Sequence, residues 1–108
     1  DYAWFRRDEG QKALAERQLN FYAQELAAIG RNSAEHSYDG RSLSSWGSSG
    51  QTAMIATAAM VTDHENAKTY LKRLWGQATP SGKWRYYDGL LHMFALLHLS
   101  GQYRIIHP

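Results

Sequence analysis

Two stretches of this chain are apolar on every side of a helix, and they restrict the fold more than any other feature. From Leu90 to Leu99 the residues Leu90, Leu91, Met93, Phe94, Ala95, Leu96, Leu97 and Leu99 leave no polar stripe. From about Gly50 to Val61 the residues Ala53, Met54, Ile55, Ala56, Ala58, Ala59, Met60 and Val61 do the same. Such a helix needs cover all round. At about 14 residues the later one is too short for a bilayer, which takes ~20 apolar residues, and His92 and His98 interrupt it. Cover must therefore come from protein. Gly101 stands where a left-handed cap would end the helix.

The covering elements are amphipathic. Asp8 to Ile29 carries Ala15, Leu19, Tyr22, Leu26 and Ile29 at spacings of three and four, hence on one stripe, with Gly30 as its cap. Thr62-Asp63-His64-Glu65 has the form of a capping box. It opens a helix to about Gln77 with Ala67, Tyr70, Leu71, Leu74 and Trp75 on one side. Asp1-Tyr2-Ala3-Trp4-Phe5 has the pattern of a helix tail. No stretch alternates with period two, so the chain is all-α. A four-helix bundle would show four amphipathic helices of similar character. Here two half-apolar helices face two wholly apolar ones. The pattern predicts two concentric layers and a slice of a larger helical barrel.

Between the first amphipathic helix and the first apolar one lies a polar loop, Arg31 to Ser49, with Tyr38-Asp39-Gly40 as a turn and Trp46 near its end. Loops of that length are often functional. For Trp46, packing within the loop is the ordinary role and lining a cleft is the alternative. Ser48 or Ser49 is placed to cap the helix that follows. Trp84-Arg85-Tyr86-Tyr87 precedes the last helix, where aromatic rings either seal a core or offer flat faces to a ligand. Asp88 is expected to act as a helix cap or dipole partner.

Several classes are disfavoured. With 108 residues the chain makes one domain or part of one. It has no cysteine, which removes disulfides and thiolate chemistry. His36, His64, His92, His98 and His107 have no metal-ligand spacing, so neither metal nor cofactor is expected. A net charge of +2, evenly scattered, does not point to nucleic acid. Nor does the sequence point to a membrane.

The final third resembles the C-terminal end of glycoside hydrolase family 8. Pro80-Ser81-Gly82-Lys83-Trp84-Arg85-Tyr86-Tyr87-Asp88-Gly89-Leu90-Leu91 and then Leu99-Ser100-Gly101-Gln102-Tyr103-Arg104-Ile105 follow that family's motif without a gap. Ser48-Ser49-Gly50-Gln51-Thr52-Ala53-Met54 is similar to a further family segment. The resemblance implies the C-terminal portion of an (α/α)6 barrel, with inner and outer helices alternating and residues 1–108 forming one segment of a single catalytic domain. The remainder of the barrel would be its partner. The ending looks closest to xylan-active members, including reducing-end xylose-releasing enzymes. Gly47 stands where the latter type carries a His, and Trp84 where a Tyr is usual. The implied substrate is xylan or a xylo-oligosaccharide, cleaved at β-1,4 linkages with inversion. The family's general acid and general base match no position of this chain, so no catalytic residue is assigned. Trp84 and Tyr87 match sugar-contacting aromatics, and Trp46 joins them as a third substrate-binding candidate. The family's polymeric substrates imply secretion or a periplasmic location for the parent protein, or a cytoplasmic one if it acts on imported oligosaccharides. The competing reading is a self-contained helical carbohydrate-binding or interaction module without catalysis.

Overall fold

The computed structural model describes residues 8–102. The expected helix tail at Asp1–Phe5, the Tyr103-Arg104-Ile105 end of the motif and His107 lie outside them. The described residues form four α-helices and no named strand: α1 (Glu9–Ile29), α2 (Ser49–Ala59), α3 (Ala67–Gly76) and α4 (Arg85–Leu99), with a 3-10 turn at Gly82–Trp84 ahead of α4.

The long amphipathic helix forms where its caps place it. Asp8 Oδ1 accepts from the Gln11 amide at 3.0 Å, and Gly30 closes the other end at φ 74°. Of its stripe, Leu19 is buried, and Tyr22 and Leu26 pack against the core. Ile29 is exposed, because the chain turns away directly after it.

α2 is the hub. It packs on α4, on α3 and on α1, whereas α3 and α4 touch only lightly. One face sets Ile55 and Ala59 against Leu19, Ala67 and Tyr70. Another sets Ala53 and Ala56 against Leu74 and Ala95. Small residues let three neighbours approach one short helix. Ala67 meets Ala59 at one end of α3 and Leu74 meets Ala53 at the other, so α3 runs antiparallel to α2. The order is outer, inner, outer, inner, as in a portion of an (α/α)6 barrel.

Two local expectations fail for physical reasons. The Thr62–Glu65 capping box does not form. Thr62 Oγ1 turns back to donate to the Ala59 carbonyl at 3.3 Å, closing the end of α2. The Asn66 amide then donates to His64 Nδ1 at 3.1 Å, and α3 starts only at Ala67. Trp75 is also not core. It lies off the packed Ala67–Tyr70–Leu74 stripe and is 69% exposed.

The loop before α2 is polar but not loose. Asn32, Ser33 and Ser44 are buried within it. An isolated antiparallel bridge joins His36 to Ser42, and Gly40 turns the chain between them at φ 84°.

Candidate functional site

The functional candidates sit at the N-terminal ends of the two inner helices, and those ends are side by side. Ser48 Oγ caps α2 by accepting from the Gln51 amide at 3.2 Å. The next residue, Ser49, donates from its hydroxyl to Asp88 Oδ2 at 2.9 Å, reaching into the first turn of α4. Gly50 makes that approach possible. A Cβ there would lie 2.7 Å from Asp88 Oδ1 and 2.8 Å from Leu91 Cδ1. Further along, Ala53 and Ala56 meet Ala95. α2 and α4 are thus parallel neighbours, and the segments leading into them emerge at the same end.

Asp88 therefore does not cap α4. It lies one turn inside the helix, as a dipole partner that also tethers α2. Below it, Gln77 Nε2 donates to the Ser49 carbonyl at 3.2 Å and lies 3.1 Å from Nδ1 of the buried His92. This polar node ties the exit of α3 to both inner helices.

The aromatic segment is more ordered than a turn. Gly82, at φ 73°, starts the 3-10 turn, and Arg85 Nη1 donates to the Gly82 carbonyl at 3.0 Å. Tyr86 and Tyr87 already belong to α4. Helical geometry separates adjacent residues by about 100°, so these two rings fan out instead of stacking on one another. Lys83 Nζ lies 4.9 Å from the Trp84 ring centre, covering one face by a cation–π contact.

All three substrate-binding candidates are exposed: Trp46 by 59%, Trp84 by 68% and Tyr87 by 66%. Aromatic side chains of that size left open at one end of a helix pair are available as flat apolar faces. Tyr86, at 79%, is more exposed than any of them. Reading the sequence missed it. Its signal was present in its place next to Tyr87, between two residues matched to the same motif. Trp46 enters this end through the backbone. Its carbonyl accepts from the Ala34 amide and the Ser44 hydroxyl, both at 2.9 Å.

The electrostatics of the surrounding loop centre on Glu25. Burial alone would raise its carboxyl. Hydrogen bonds from His36, Asn32 and the Ser33 amide outweigh that and hold it below the ordinary glutamate value. Burial pushes the Tyr70 phenol up, although it donates to Asn32 Oδ1 at 3.2 Å. Among the described residues no group of three or more His, Asp or Glu side chains converges as a metal site would require. No described helix is long and apolar enough to cross a membrane.

No family model matches the chain. Curated proteins do. It is 33% identical over 107 residues to a reducing-end xylose-releasing exo-oligoxylanase of Paenibacillus barcinonensis, a match covering 97% of this chain and 27% of that protein. It is 40% identical over 55 residues to a reducing-end xylose-releasing exo-oligoxylanase of Bifidobacterium adolescentis, covering 51% of this chain and 14% of that one. Among solved structures, a GH8 xylobiose complex from Teredinibacter turnerae superposes with a TM-score of 0.83 at 36% identity, over 95% of this chain and 26% of the other. A GH8 catalytic-mutant xylohexaose complex of a xylanase from the same organism gives the same values. The chain spans about a quarter of the length of these relatives.

Proposed function

Taking the chain as a segment of the glycoside hydrolase family 8 fold, which it resembles over nearly its whole length in sequence and in structure, we propose that it completes the catalytic domain of a xylan-active glycosidase. Residues 1–108 form the C-terminal segment of that domain, and the remainder of the barrel is their partner. The reaction is hydrolysis of β-1,4 linkages in xylan or xylo-oligosaccharides with inversion. Inversion needs two carboxyl groups, one to protonate the leaving oxygen and one to activate water, roughly 6.5–9.5 Å apart. Both belong to the remainder of the barrel. Asp88 already accepts a hydrogen bond from Ser49 and serves to join the helices.

This segment supplies binding surface. Trp84, Tyr87 and Trp46 contact the sugar, with pyranose rings stacking on their exposed faces. Because Lys83 covers one face of Trp84, the sugar takes the other. No cofactor or metal takes part. The observation that carries the reading is the parallel pairing of α2 and α4, which brings both aromatic segments to one end. The names of the relatives, oligoxylanases and xylanases, support xylan as the substrate class. The self-contained module finds no support in α4, whose Leu90, Met93 and Phe94 are 37%, 45% and 42% exposed and suit a neighbouring helix better than water.

The test takes the intact polypeptide that carries this chain and offers it xylo-, cello- and chito-oligosaccharides. Product anomers are read by NMR at early times. Cleavage of the xylo-series with inversion is expected. Retention, or cleavage of another series alone, overturns the proposal. Trp84→Ala should raise KM for xylohexaose about tenfold, the scale of one lost aromatic contact. Hydrolysis by a pure 108-residue preparation would sink the assignment of the carboxylates to the remainder of the barrel.

A further inference from the structure

Away from the aromatic end, the outer helix α1 carries a carboxylate, Glu25, with both oxygens engaged by the loop that follows it. Its Oε2 accepts from Asn32 Nδ2 at 3.2 Å and from the Ser33 amide at 3.1 Å, and its Oε1 pairs with His36 Nε2 at 2.8 Å. The Glu25 side chain is 9% exposed and that of His36 15%. A carboxylate this buried is costly unless its oxygens are satisfied. Here every donor comes from the loop that follows α1, and none from the helix that carries the carboxylate.

The chain of contacts continues. Ser33 Oγ donates to the Ser44 carbonyl at 2.9 Å and lies 2.8 Å from Ser44 Oγ. Ser44 Oγ donates to the Trp46 carbonyl at 2.9 Å, and the Ala34 amide donates to the same atom at 2.9 Å. Directly after Trp46 the backbone runs against the start of the loop. A Cβ on Gly47 would lie 3.0 Å from the Asn32 carbonyl. Two residues of relay, Ser33 and Ser44, thus separate the Glu25 carboxylate from the backbone of Trp46.

The geometry points to Glu25 as the positioning residue that fixes Trp46 at the aromatic end, a role that rests on the reading of Trp46 as a sugar contact. α1 does not need this carboxylate to pack, since Leu19, Tyr22 and Leu26 already make its contact with the core. What it does instead is clasp the start of the loop, while the far end of the same loop holds Trp46 open to solvent. The clasp is braced from α3 as well. Tyr70 OH and Arg73 Nη1 reach Asn32 Oδ1 at 3.2 and 3.5 Å, so Asn32 is held from both sides. Tyr22 contributes its carbonyl, which accepts from Asn32 Nδ2 at 2.7 Å. A rigid aromatic platform costs less ordering on sugar binding than a mobile one.

The test uses the intact polypeptide with xylohexaose as probe and four variants: Glu25→Leu, Glu25→Gln, Trp46→Ala, and Glu25→Leu combined with Trp46→Ala. Glu25→Leu should raise KM about fivefold and leave kcat within about twofold, the pattern of lost uniform binding. Glu25→Gln keeps one carbonyl acceptor and should recover part of the loss. The combined variant should bind no worse than Trp46→Ala alone, because both changes act on one ring. Amide exchange over residues 33–46 should quicken in Glu25→Leu and stay unaltered over residues 85–99. An unchanged KM in a folded Glu25→Leu protein overturns the proposal. So do effects that add in the combined variant. If Glu25→Leu fails to fold, Glu25→Gln carries the same comparison, with a smaller rise in KM expected and no rise overturning it. Trp46→Ala with an unchanged KM sinks the sugar-contact reading instead. Glu25 is then judged by exchange alone, faster exchange upholding the clasp and unchanged exchange refuting it.

Discussion

α2 and α4 are written in the same alphabet and end in different surroundings. Both are apolar nearly all round. In α2, Gly50, Ala53, Ile55, Ala56 and Ala59 are buried, with α1, α3 and α4 on three sides. In α4 only His92 and Ala95 are buried, while Leu90, Met93 and Phe94 stand open. An apolar helix states a demand for cover; it does not say who supplies it. α2 finds its cover inside this chain. α4 finds half, from α2 and, lightly, from α3. On the proposed reading, the difference measures how much of the barrel these residues contain.

Truncation should separate the two helices most sharply. Ile55 is 1% exposed and touches Leu19, Ala59 and Tyr70. Ile55→Ala should cost about 3 kcal/mol wherever it is measured, the range for large-to-small changes in a core. Phe94→Ala should cost well under about 1 kcal/mol in the 108-residue chain, since its ring is already 42% exposed. If the remainder of the barrel covers Phe94, as proposed above, the same change in the intact polypeptide should approach the Ile55→Ala cost. Denaturant midpoints of both variants, in both lengths of chain, give the four numbers. A Phe94→Ala cost that is equally small in the intact polypeptide would break the comparison, leaving α4 as a surface helix.

The next effect lies where the helices meet. A Cβ at Gly50 would meet the ends of the Asp88 and Leu91 side chains at 2.7 and 2.8 Å, so one or both must shift to admit it. Gly50→Ala should cost about 2 kcal/mol, as overpacking does. Part of that should return in a Gly50→Ala, Asp88→Ala pair, which removes one of the two obstructing side chains. A thermal-melt cycle over the four proteins reads the coupling. No coupling between these positions would mean that α2 and α4 do not run as parallel neighbours at this end.

Much of this was legible in the residues. The stripe of α1, the Gly30 cap, the apolar side of α3 and the two apolar inner helices all follow from spacing and cap chemistry. What was not legible came from competition between neighbours. Thr62 could cap forwards or bond backwards, and the end of α2 claimed it. Of the two roles open to Asp88, cap or dipole partner, the start of α4 at Arg85 leaves the second, and the Ser49 hydroxyl of another helix adds a tether that spacing does not show. The loop from Arg31 to Ser49 hides its order for the same reason. Serines and an asparagine are the usual composition of a loose linker. Here Ser33, Ser44 and Asn32 are buried because Glu25, sixteen residues into the preceding helix, organises them. For the aromatic end, exposure followed from the sequence only as one of two options, and Tyr86, part of that segment but not singled out for binding, is 79% exposed.

The smallest effect concerns the last side of α2, which a polar loop covers instead of a helix. Gln51 Nε2 donates to the Ser33 carbonyl at 2.7 Å, so the loop clasped by Glu25 is part of the packing of α2. α4 has no such cover among the described residues. The Glu25 carboxyl is held below its ordinary value of 4.5, so its contribution is fully present above that pH and fades as the pH falls through the lowered value. The groups facing it are His36 from the loop, Tyr22 on its own helix, and Tyr70 and Arg73 from α3 through Asn32. Glu25→Gln should cost about 1 kcal/mol at pH 7, the net worth of a buried hydrogen bond. The gap between variant and wild type should narrow steadily below pH 4.5. Denaturant midpoints taken from neutral to acid pH follow it. A gap that persists unchanged in acid would mean that charge on Glu25 adds nothing to the loop, and that α2 owes this side of its cover to packing alone.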